Sequence, residues 1–347
     1  MTGRAGASSR RDASSRRGAD RDMLPFKLLM GVTAGGIGGI VTVLGELRDE
    51  LGFSGTGIGI MVASGFVAAF VSQVTLDPAR AGENLGRMVV AETTGFIFGP
   101  TLTALLVWVG GIRLPFAVFA AAMLAFLPVA VRLPPDRGRL DASGRATSFD
   151  LLLHRRLQGA LIMVAGYFMM IGAWEAVLPV MFADRGAGAI MTGLTFTMVA
   201  LPIMMVGTRA GRLADRVGPV RVTMAGLVTV SVATMTFGVI PGVIPIAGAM
   251  MLVGFADGYG FTAAHAVVAR AVPEHRQAAA LGLMGAAEVA GAAAAALPAA
   301  WMYDSFGSGP TWAAVGLAVL VLVVAGWLRI RGTVPASGPD APAPRPH

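Results

Sequence analysis

The chain has 347 residues, 55% of them hydrophobic and 14% charged, and its mean hydropathy of +0.70 lies far outside the usage of soluble globular domains. It has no cysteine, which excludes disulfides, thiolate catalysis and zinc-thiolate centres. The net charge of +7 would suggest nucleic acid in a soluble protein, but in a chain this apolar the question is where the charges sit relative to a bilayer.

Residues 1–22 are rich in Arg, Ser, Gly and Asp, cannot bury enough apolar surface to fold, and read as a cytoplasmic tail. A spanning helix needs about 20 mostly apolar residues. By that rule the sequence predicts ten spans, at roughly 24–44, 57–76, 88–109, 112–132, 157–182, 190–208, 222–240, 243–267, 278–300 and 311–328. Helices are expected because strands facing lipid would leave backbone groups unpaired. The only lysine, Lys27, follows Pro25 and Phe26 rather than a glycine-rich loop, so the chain carries no phosphate-cradling loop of its own and no ATP-driven motor.

The predicted organisation is an incomplete N-terminal bundle of four spans (23–133), a cytoplasmic linker (134–156), a C-terminal bundle of six spans (157–330) and a Pro/Ala-rich tail (331–347). Placing the N-terminus in the cytoplasm leaves only Arg48, Arg113 and Arg185 of the 27 basic residues on the far side. That bias predicts cytoplasmic termini and a cytoplasmic linker, in the plasma membrane.

Within the second bundle, GRLADRVGP (Gly211 to Pro219) sets an acid and two arginines between long apolar runs. With the Arg-rich linker between two bundles, it resembles the cytoplasmic loop motif of the major facilitator superfamily. Gly211, Asp215, Arg216 and Gly218 match that motif's core, and Arg221 matches its end loosely. The resemblance implies a latch holding one state of an alternating-access cycle. Gly211 is expected to allow close helix approach, Asp215 to meet the positive end of a neighbouring helix, and Arg212, Arg216 and Arg221 to pair with carboxylates or lipid phosphates. A second match is GFIFGP, where Gly95, Gly99 and Pro100 fit the core of the family's exporter-associated motif, although the glycines usual just beyond are replaced by Thr101 to Ala104. Gly31, Gly35 and Gly39 repeat every four residues in the first span and read as helix packing.

The halves also echo each other: AETTG (Ala91 to Gly95) and AEVAG (Ala287 to Gly291) carry an acid and a glycine at one spacing, as repeat-built transporters do around a midplane site. Acids inside spans cost about 2.5–3.5 kcal/mol each and are functional candidates by default. Asp257 and Glu288 rank first for proton or substrate coupling, then Glu92, then Glu175; His265 is a further ionisable group in the eighth span. The alternative for each is a satisfied interhelical hydrogen bond. Tyr167, Trp174 and Tyr259 are candidate cavity-lining aromatics.

The family has twelve spans. Here the second span runs from Leu76 straight into Asp77, so a hairpin carrying the first latch and the embedded arginine motif is predicted to be missing. Losing a hairpin, unlike losing one helix, preserves the sidedness of every later loop. The resulting expectation is an all-α integral membrane protein exporting small, largely apolar compounds against protons, with no cofactor beyond the proton gradient. The expected partners are the lipid bilayer, a small-molecule substrate and protons, with no nucleic acid. Uptake or exchange of a polar solute and a membrane protein without transport activity are the alternatives. With no nucleophile-base pair, metal-ligand cluster or nucleotide loop, an enzyme is not expected.

Overall fold

The computed structural model describes residues 24–52, 54–60, 62–63, 95, 98–131 and 149–333. No strand occurs among the described residues; the architecture is all-α. The main helices are α1 (Leu24–Leu51), α2 (Phe98–Gly110), α3 (Arg113–Val131), α4 (Arg155–Asp184), α5 (Ala189–Val217), α6 (Pro219–Thr236), α7 (Val243–Ala269), α8 (Gln277–Phe306) and α9 (Ser308–Ile330). Residues 55–60 are also helical, and a 3-10 turn, Phe149–Leu153, leads into α4. The six helices from α4 to α9 are each long and apolar enough to cross a membrane, and they coincide with the six spans expected after the linker. Glu92 and the junction of Leu76 with Asp77 lie outside the described residues.

α4 is the hub of the second bundle. It is buried along most of its length, from Leu157 to Phe182, and packs against α8 and α9 and also against α1. α7 packs between α5 and α6, and α6 packs on α9. Lipid tails offer no hydrophobic drive for one helix to seek another, so close backbone approach has to supply the attraction. Small residues provide it at each crossing. A Cβ built on Gly172 of α4 would lie 2.7 Å from the Ala292 carbonyl carbon of α8, and one on Gly226 of α6 would lie 2.7 Å from the Gly260 nitrogen of α7.

Backbone cannot rotate out of the way as a side chain can. Gly172→Val is therefore expected to destabilise the bundle by about 1–3 kcal/mol, read as a lower Tm of the detergent-purified protein. Gly211→Ala is expected to do the opposite, raising stability by up to about 1 kcal/mol, because that helical glycine has nothing within 4 Å of its would-be Cβ.

The segment read from sequence as a charged loop is mostly helix. α5 continues through Gly211, Asp215 and Arg216 to Val217, two turns beyond the apolar run that defined the span. Hydropathy reports contact with lipid, whereas Arg, Ala and Leu sustain a helix after it leaves the apolar layer. Only Gly218 breaks the chain. Its φ of +94° is accessible to glycine at little cost, and Pro219 occupies the first position of α6, where its missing N–H is not needed.

Candidate functional site

α7 and α8 place two of the sequence-predicted acids around Tyr167 of α4. Asp257 lies at the centre of α7 and is 1% exposed. The Tyr167 hydroxyl of α4 is the polar neighbour of its carboxylate, while Asp257 Oδ1 is buried with no hydrogen-bond partner among the described residues. Glu288 of α8 is partly buried within electrostatic range of Tyr167. It is delivered there by the glycine one turn on: a Cβ on Gly291 would lie 2.9 Å from the Ala165 carbonyl carbon, so α8 crosses α4 with its backbone nearly in contact. The AEVAG pattern thus couples an acid to a helix crossing.

Glu175 stands two turns beyond Tyr167 on α4. It is partly exposed, with no hydrogen-bond or ion-pair partner among the described residues. It continues a half-exposed stripe through Ile162, Ala165, Phe168 and Ile171, at helical spacing on an otherwise buried helix.

Aromatic rings flank the acids. Phe261, one turn after Asp257, lies 5.6 Å from the Tyr167 ring and 5.9 Å from Phe168, and packs edge-on against His265 at 4.5 Å. The His265 Nδ1 is 3.0 Å from the Phe261 carbonyl oxygen. Of the other aromatic candidates, Trp174 is a core residue 6.2 Å from Phe237, and Tyr259 lies in a groove among α5, α6 and α7.

Sequence reasoning missed a polar clamp at the end of the bundle where α4 ends and α5 begins. Arg48 Nη2 of α1 contacts Asp184 Oδ1 of α4 at 2.7 Å, and the Tyr303 hydroxyl of α8 donates to Asp184 Oδ2 at 2.8 Å. Glu46 Oε1 accepts the Ala189 backbone N–H at 2.8 Å, setting a carboxylate on the positive N-terminus of α5. Asp304 Oδ2 accepts from both the backbone N–H and the hydroxyl of Thr56, at 2.6 Å each. The Arg48, Glu46 and Thr56 contacts join residues 24–60 to the second bundle, over sequence separations as large as 248, while the Tyr303 to Asp184 bond ties α8 to α4 within it. The signal available was compositional: acids near the ends of three helices, Glu46, Asp184 and Asp304, on the side where few basic residues occur.

A model of the Major Facilitator Superfamily matches residues 160–347, more than half of the chain. The chain belongs to the major facilitator superfamily. An uncharacterised MFS-type transporter of Methanocaldococcus jannaschii is 20% identical over 286 residues, covering 78% of this chain and 74% of the relative. The fold is similar to that of the human organic anion transporter MFSD10 (TETRAN), with a TM-score of 0.51 at 17% identity, over 87% of this chain and 82% of that one. It is likewise similar to the nucleoside transporter NupG, with a TM-score of 0.53 at 11% identity, over 88% and 91% of the two chains. The chain is thus a multi-pass membrane protein of the MFS transporter type.

The MFS motif elements take definite places. Asp215 does not face a helix N-terminus as expected. Its Oδ1 receives Arg270 Nη2 at 2.6 Å, tying the end of α5 to the end of α7 inside one bundle. Gly211 makes no close helix approach, because the contact between α5 and α7 is made deeper, where Gly254 meets Val199 and Gly258 meets Ile203. Arg212, Arg216 and Arg221 are exposed and have no ion-pair partner among the described residues, while Gly218 serves as the helix break.

Of the exporter-type residues, Gly95 is half-buried and Gly99 and Pro100 are buried. Here α2 is held on two sides. A Cβ on Gly39 of α1 would lie 3.2 Å from the Gly99 carbonyl oxygen, one on Gly193 of α5 would lie 2.8 Å from the Pro100 carbonyl oxygen, and the Thr101 and Thr197 hydroxyls are 2.8 Å apart. The Gly-Pro element therefore lies in the seam between the two bundles. An Asp215→Asn change is expected to cost less than about 1 kcal/mol of stability, since an exposed ion pair contributes little, so its Tm in detergent should stay within a few degrees of the parent's.

Proposed function

We propose that the chain is a proton-coupled secondary transporter that exports small, largely apolar compounds by alternating access, with Asp257 and Glu288 as the coupling acids and Glu175 as an accessory acid. The observation that carries this reading is the buried Asp257 carboxylate, beside the Tyr167 hydroxyl and left without a partner on Oδ1, with Glu288 in electrostatic range of the same tyrosine. A carboxyl group so placed can take up a proton or accept a hydrogen bond from a substrate, and each event satisfies the orphan oxygen. Loading by one disfavours the other, which is what antiport requires of a shared group.

The clamp supports alternating access. Its hydrogen bonds contribute about 0.5–1.5 kcal/mol each, enough to hold one end closed and small enough to be exchanged for other contacts once per cycle. Asp215, Arg216 and Gly218 act at the opposite end as the latch, and that end faces the cytoplasm in the plasma-membrane orientation favoured by the arginine bias. The missing hairpin is retained as part of this proposal, with the seam at Gly99 and Pro100 keeping the shortened first bundle joined to the second.

The acids, with no basic side chain described in the middle of any span from α4 to α9, suit a neutral or cationic substrate. Expression in cells lacking their own exporters, followed by efflux of a fluorescent lipophilic cation, tests the reading. Faster efflux than in vector controls supports it, and equal efflux with verified membrane expression rejects it. One observation favours a second reading: the cluster of Tyr167, Phe168, Phe261 and His265 suits stacking on a flat polar ring, so exchange of a nucleoside, the solute named for NupG, is the alternative. Counterflow of labelled nucleoside in vesicles without a proton gradient separates the two.

A further inference from the structure

A groove opens among α5, α6 and α7 at the Asp215 end. It encloses about 420 Å³ and is lined by Leu213, Val217, Val222, Ala225, Thr229 and Tyr259, with Arg221 at its mouth. From Arg221 to Thr229 it follows α6 for about 12 Å at 1.5 Å per residue, running from the helix start toward the middle of the span. Leu213, Val217, Ala225 and Thr229 are exposed, so the groove opens on the outer surface of a multi-pass membrane protein. The Thr229 hydroxyl is already satisfied by the Ala225 carbonyl at 2.8 Å, which leaves the Tyr259 hydroxyl as the other polar group of a mainly apolar groove.

The mouth is the opposite. Arg221 lies near the start of α6, five residues after Arg216 and nine after Arg212 at the end of α5; all three are exposed, and none has an ion-pair partner among the described residues. The acid that could have neutralised them, Asp215, is engaged by Arg270. Uncompensated cationic charge above a narrow apolar channel is complementary to one kind of bilayer component, an anionic headgroup with an attached acyl chain.

We propose that this groove is a binding site for one anionic phospholipid of the surrounding leaflet, its phosphate on Arg221 and the adjoining arginines and one acyl chain lying between α5, α6 and α7 as far as Thr229. The lipid would fasten α6 to the ends of α5 and α7, next to the Asp215 to Arg270 pair. This site is independent of the acids that carry the transport reading.

The test is native mass spectrometry of the full chain in detergent, titrated with phosphatidylglycerol or phosphatidylcholine of the same acyl chains. Three variants are compared, each first checked for an unchanged elution volume and Tm. Arg221→Gln removes the charge at the mouth, Ala225→Trp fills the exposed channel, and Arg331→Gln removes a cation at the end of α9, away from the groove. The expected result is preferential binding of one phosphatidylglycerol, weakened about fivefold or more by Arg221→Gln and by Ala225→Trp and unchanged by Arg331→Gln. Equal binding of phosphatidylcholine, an equal loss with Arg331→Gln, or full binding by the Ala225→Trp variant would each overturn it. The last outcome would show that only a headgroup is held.

Discussion

Asp257→Asn is expected to reduce substrate efflux tenfold or more while leaving the helical bundle folded. The asparagine keeps the shape of the side chain and an acceptor for the Tyr167 hydroxyl but can no longer exchange a proton. A hydrogen bond to a charged partner contributes about 1.5–3 kcal/mol, which corresponds to a rate or affinity loss on the order of 10–100-fold. Tyr167→Phe removes only the neutral partner and should cost severalfold. Glu288→Gln should resemble Asp257→Asn more closely than Glu175→Gln does, because Glu288 lies in electrostatic range of Tyr167, the neighbour of Asp257, whereas Glu175 stands two turns away on α4. Initial efflux rates from loaded cells, normalised to the amount of protein in the membrane, give the ranking. Wild-type rates in the Asp257→Asn variant would remove Asp257 from the mechanism.

The second large effect concerns the clamp. Asp184 holds both Arg48 and Tyr303, so Asp184→Ala deletes two contacts between α4 and its neighbours at once. A loss of about 1–2 kcal/mol changes a two-state ratio by a factor of about 5–30. The expected outcome is a shift toward conformations open at that end. Because the chain has no cysteine, spin labels can be placed without removing native thiols. Labels at Glu50→Cys in α1 and Ile190→Cys in α5, both exposed positions, span the clamp. Pulsed dipolar distance distributions should show a single short population in the parent and a growing longer one after Asp184→Ala. Arg48→Gln should move the distribution the same way and less far, since the Tyr303 contact survives. An unchanged distribution in both variants would mean that the clamp does not set the resting state.

The sequence announced the helices of the second bundle well, and it did so for a simple reason. Spans must be apolar over about 20 residues whatever they pack against, so α4, α7 and α9 begin and end within a few residues of their apolar runs. It misjudged α5 because the last two turns, through Asp215 and Arg216, are helical and polar together. The acids of the candidate site were also legible, since an acid within lipid is costly wherever it stands. Their grouping was only half legible: AEVAG hinted that Glu288 rides on a close crossing, but nothing local to Tyr167 or Asp257 says that they meet. The clamp was not legible at all. Arg48, Asp184, Tyr303 and Asp304 are ordinary residues at helix ends, and their meaning comes from contacts across 100 residues or more of chain. The role assigned to Gly211 failed for a related reason, because a glycine marks where a close approach is permitted and not where one occurs.

The most direct measurement of the central claim is proton movement driven by substrate in proteoliposomes of the purified full-length chain, followed with a pH-sensitive dye trapped inside. An imposed gradient of a transported cation is expected to move protons in the opposite direction, and a proton gradient alone to drive uphill substrate movement which a protonophore abolishes. Both signals should be absent in the Asp257→Asn variant. Substrate flux that proceeds without any pH change, and equally in wild type and variant, would contradict it.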